Sequence, residues 1–111
     1  MKQLHKALAP LASAAIQEKY IVHGTKIEYL LPEELLNVAI NVLFEQKGIK
    51  IPESKALDNV KEAIRACHVP EGMPGPEIVL NFRPWIKVRE TSEKYLTEEG
   101  FNLKAWEAHE L

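Results

Sequence analysis

The chain has 111 residues, 46% of them hydrophobic and 27% charged, a composition that suits one soluble globular domain with its own core and excludes any need for a second. A formal charge of −2 excludes the bulk positive field that drives non-specific binding to nucleic acid or membrane surfaces, so any anion site must be local. The single cysteine, Cys67, excludes an internal disulfide and, with no export signal of good quality, points to a reducing cytoplasm.

The first segment places Leu4, Leu8, Leu11 and Ala15 on one stripe of a helix predicted from about Lys2 to Tyr20. Pro10 predicts either a kink or a helix that starts in earnest near Ala9. Ala12, Ser13 and Ala14 look superficially like a signal-peptidase site, but the apolar run before them is short and broken by Pro10, so an uncleaved helix is the reading. No apolar run approaches the ~20 residues of a membrane helix.

Gly24 stops this helix, and alternation from Thr25 to Leu31 puts Ile27, Tyr29 and Leu31 on one face of a short strand. Pro32, Glu33 and Glu34 start the next helix, with carboxylates beside its positive dipole end. Leu35, Leu36, Ala39, Val42 and Leu43 form its buried stripe, and Gly48 closes it. Ser54 caps a further helix carrying Leu57, Val60, Ile64 and Cys67 on one face, and the two helices form a hairpin.

Residues 68–77 hold Pro70, Gly72, Pro74, Gly75 and Pro76, a density of breakers that predicts a loop. This loop divides a helical part, 1–67, from a β-containing part, 78–111. Glu77–Phe82 and Trp85–Arg89 read as strands, separated by Pro84 at an edge or bulge. Thr91 or Ser92 caps a short helix ending at Gly100, and Phe101–Leu111 leans towards helix. The expected fold is α+β, a small antiparallel sheet packed on one side by three to four helices in a single domain, with a purely helical bundle as second choice.

As a strand, residues 82–89 place Arg83, Trp85, Lys87 and Arg89 on one face, a basic row of ~20 Å at ~3.3 Å per residue with one ring for stacking. Against this stands an edge strand protected by charge, with Trp85 packed under a helix. Cys67 beside His68 lacks the paired ligands zinc needs, because His5, His23 and His109 are isolated; a core cysteine at a helix end is the plainer reading. His23, Gly24 and Thr25 with Glu28 are explained by a turn. Glu33–Glu34 and Glu98–Glu99 do not face each other on a helix, and a lone aspartate, Asp58, gives no calcium or magnesium loop.

No cofactor or metal is therefore expected, and no catalytic set assembles. The leading expectation is a small non-catalytic cytoplasmic interaction protein of bacterial or phage type, working through a protein partner or by self-association as a homo-oligomer. Its signature is exposed surface from Trp85, Trp106, Phe101 and the Met73 loop. Nucleic acid or another anionic ligand on Arg83, Trp85, Lys87 and Arg89 is the alternative. The third reading is a small enzyme whose cleft collects His23, Glu28, Cys67 or His68.

Overall fold

Three prolines open helices in this protein rather than breaking them. Pro32, Pro76 and Pro84 stand at the first or second position of a helix, where the missing N–H would lack an intrahelical partner anyway and the fixed φ is already helical. The structure is a computed structural model that describes residues 3–24, 31–46, 48, 51–73 and 75–110. Among them lie seven α-helices: α1 (Gln3–Ala12), α2 (Ala14–Gln17), α3 (Pro32–Ile40), α4 (Lys55–Ala66), α5 (Gly75–Asn81), α6 (Arg83–Glu98) and α7 (Leu103–Glu110). Both α2 and α3 run on into wider turns of π-helix, Glu18–His23 and Asn41–Glu45.

The expected α+β fold is corrected by this architecture. No strand occurs among the described residues, and the segments read as strands, 77–82 and 85–89, belong to α5 and α6. Their β-branched and aromatic composition is overridden by a longer pattern: Trp85, Val88, Ser92, Tyr95 and Leu96 are all buried, at the spacing of one helical stripe. The proposed strand Thr25–Leu31 lies outside the described residues except for Leu31, which is the residue preceding α3. The predicted loop gives up residues 75–77 to the first turn of α5.

The predicted first helix is two helices. The backbone runs through Pro10 and breaks at Ser13, which adopts an extended conformation and accepts a hydrogen bond from Ile16 N at 3.1 Å, capping α2. Ser54 caps α4 in the same way, accepting from Leu57 N. Gly48 and Gly100 take positive φ, 86° and 75°, as residues beyond helix ends commonly do.

α6 is the central helix. It packs along α4 on one side and α1 on the other, while α3 covers α1 and α5 rests against the π turn after α2. One apolar core runs from Leu4 of α1 to Leu96 of α6 and joins both ends of the sequence. α7 lies outermost, against α2 and α6, and none of its residues is fully buried.

Candidate functional site

The break at Ser13 creates a chemical problem and a site. A helix that stops at Ala12 leaves its last carbonyls without N–H partners. Gln17, one turn into α2 and fully buried, answers this: its Nε2 donates to Pro10 O at 2.9 Å and to Leu11 O at 2.7 Å. Its Oε1 accepts from Trp85 Nε1 at 3.1 Å and from Arg89 Nη1 at 3.2 Å. The amide thus uses both donors and both acceptor lone pairs. Arg89 Nη1 also donates to Val79 O at 3.0 Å, satisfying a carbonyl near the C-terminal end of α5.

A groove of about 650 Å³ opens beside this network between α2, α6 and α7. Ala12, Ala14 and Ala15 line one side with small side chains; Phe101 and Leu103 add apolar surface. Arg89, Glu93, Thr97 and Lys104 supply polar groups of both signs. Glu107 also lines the groove and accepts a 2.6 Å hydrogen bond from the buried Ser13 hydroxyl, which ties α7 to the α1–α2 break. Two other concavities are smaller, one of about 440 Å³ between α4 and α6 that includes Lys87, and one of about 150 Å³ lined by Ile21, Pro32, Met73 and Ile78.

The residues singled out in the sequence are dispersed by helix geometry. At 100° per residue Trp85 stands nearly opposite Arg83, so the basic aromatic strand face does not exist. Trp85 is 1% exposed and cannot stack on a base. Arg83 and Lys87, four apart, are exposed on one side of α6; Trp85 and Arg89, four apart, turn inward to Gln17. Trp106, Phe101 and Met73 are half-buried against the core rather than displayed; among the described residues the large apolar side chains that are exposed are Leu31, Val38, Phe44 and Leu80.

Cys67 ends α4 inside the core, and burial pushes its thiol up to about 11, away from the reactive thiolate. Burial and then the Glu99 carboxylate, which accepts a 2.8 Å hydrogen bond from Tyr95 Oη, push the Tyr95 hydroxyl well above its ordinary value. His68 is exposed, and His23 pairs with Glu18 at 3.8 Å on the surface; Thr25 and Glu28 lie outside the described residues. His5 meets Glu99 at 3.5 Å and lies against the Phe101 ring. No group of three or more metal-ligating side chains forms among the described residues. No described helix is long and apolar enough to cross a membrane.

Gln17, Ser13 and Glu107 were not legible as site residues. The one available signal was an amide in an Ala-rich segment, four residues beyond a serine placed to cap. Comparison with protein-family models, with characterised proteins and with solved structures returns no match.

Proposed function

We propose that this protein is a non-catalytic interaction domain that receives a segment of a partner protein in the groove between α2, α6 and α7. The observation that carries the reading is the groove's construction. Its alanines leave room for an incoming chain, its lining combines apolar and polar side chains, and Arg89 is held in place by two hydrogen bonds. A fixed polar group beside open apolar surface is what peptide recognition uses, because little ordering is left to be done on binding.

The test places a photo-reactive phenylalanine analogue at Thr97, which is exposed on the groove, and at Glu53, exposed elsewhere, in the native host. Irradiation should give a discrete adduct from position 97 and none from 53, and Ala14→Trp, which fills the groove from an exposed position, should abolish it. An adduct of twice the chain mass would make the partner a second copy. Equal labelling from both positions, or an adduct that survives Ala14→Trp, would sink the reading.

A further inference from the structure

Arg89 has more hydrogen-bonding capacity than the fold uses. Its Nη1 is saturated by Gln17 Oε1 and Val79 O, which fixes the guanidinium plane. Its Nε and Nη2 donate to nothing among the described residues and Arg89 is only partly buried, so that edge of the fork is left unused by the fold. No described carboxylate lies within 4 Å of it, although Glu93 and Glu107 line the same groove. A half-buried guanidinium held only by neutral acceptors lacks a counter-charge, and the Nε–Nη2 edge matches the two oxygens of a carboxylate.

We infer that the partner segment presents a single carboxylate to this open edge of Arg89, with apolar neighbours against Phe101 and Leu103. The inference rests on the groove reading above and adds the partner's chemistry. Charge in the groove decides between one acid and many. Arg89 has no carboxylate within 4 Å, but across the groove its charge and that of Lys104 are matched in number by Glu93 and Glu107, so there is no net positive field to hold an acidic run. Recognition comes from geometry at one residue.

The experiment selects random heptapeptides, displayed with their C-termini joined to a carrier so that no terminal carboxylate is free, on the intact protein with Ala14→Trp as counter-selection. Enriched peptides should share one Asp or Glu beside apolar residues. Synthetic versions with that carboxylate changed to the amide should bind about tenfold or more weakly, as expected for a charge-assisted pair. The wild-type peptide should shift the Arg89 Nε–H resonance; this readout leaves the fold untouched, and Arg89→Lys, which keeps charge without the fork, should lose most of the affinity.

Peptides whose amide versions bind equally well would overturn the carboxylate inference while leaving the groove reading intact. So would free acetate that displaces them at matched concentration, which would mean a plain anion site. No enrichment over the Ala14→Trp background would also overturn it; whether the groove binds a partner at all is decided separately by the cross-link from position 97.

Discussion

Gln17 illustrates how much of a small fold can depend on one amide. Replacing it with Leu removes the acceptor for Trp85 and Arg89 and the donor for two carbonyls at once, leaving several buried polar groups unpaired. Urea unfolding should show a loss of about 2–4 kcal/mol for Gln17→Leu. Ser92 is the opposite case. Its hydroxyl is buried in the α6 interface without a partner, so Ser92→Ala should leave stability unchanged or raise it by up to about 1 kcal/mol in the same assay. Cys67 gives a pH dependence whose sign follows from burial. The unfolded thiol ionises near 9 and the folded one near 11, so the unfolded state sheds its proton first and stability should fall as pH rises from 9 to 11. Cys67→Ala should lack that component of the alkaline loss. With Trp106→Phe isolating the other indole, Trp85 emission should be blue-shifted and indifferent to single-stranded oligonucleotide, consistent with its burial.

At the level of elements, the helix starts and stops followed local rules that a sequence carries openly. Pro32 with Glu33 and Glu34, Ser54, Gly24 and Gly100 stand where their chemistry put them, whereas the helix expected to close at Gly48 already ends at Glu45, with Gln46 extended. Gly100→Ala tests one such stop: no atom lies within 4 Å of an added Cβ, so the cost of about 1 kcal/mol expected in thermal unfolding comes from the left-handed backbone alone. What was not legible was the nature of the last third. Pro84 fits both a strand bulge and a helix start, and over the eight residues 82–89 the alternating pattern competed with the helical one. Only the buried positions continuing to Ser92, Tyr95 and Leu96 decide for helix, and they lie beyond the Thr91–Ser92 pair, whose hydroxyls by themselves suit a cap. The site was less legible still, because it is made where α2, α5, α6 and α7 converge, and no local pattern brings Ser13 to Glu107 or Gln17 to Arg89. α7 itself is attached thinly, by the Ser13–Glu107 contact, Tyr20 Oη donating to Glu110 O at 3.2 Å, and partly buried Leu103 and Trp106. Its amides should exchange with deuterium far faster than those of central α6.

Across the whole molecule, the Cα radius of gyration of 13.4 Å is what about 2.2·N^0.38 gives for a compact chain of this length, and the core draws on both ends of the sequence. The division at 68–77 therefore separates stretches of sequence and not cores. Trp85 and Arg89 meet Gln17 across 68 and 72 residues. During synthesis the N-terminus emerges first, and the apolar stripes of α1 and α4 wait for α6, the helix that lies between them. Until that last third leaves the ribosome, the nascent chain has surfaces that only its own unmade residues can cover. Apolar surface left uncovered during such an interval is what chaperones bind and what misassembly feeds on.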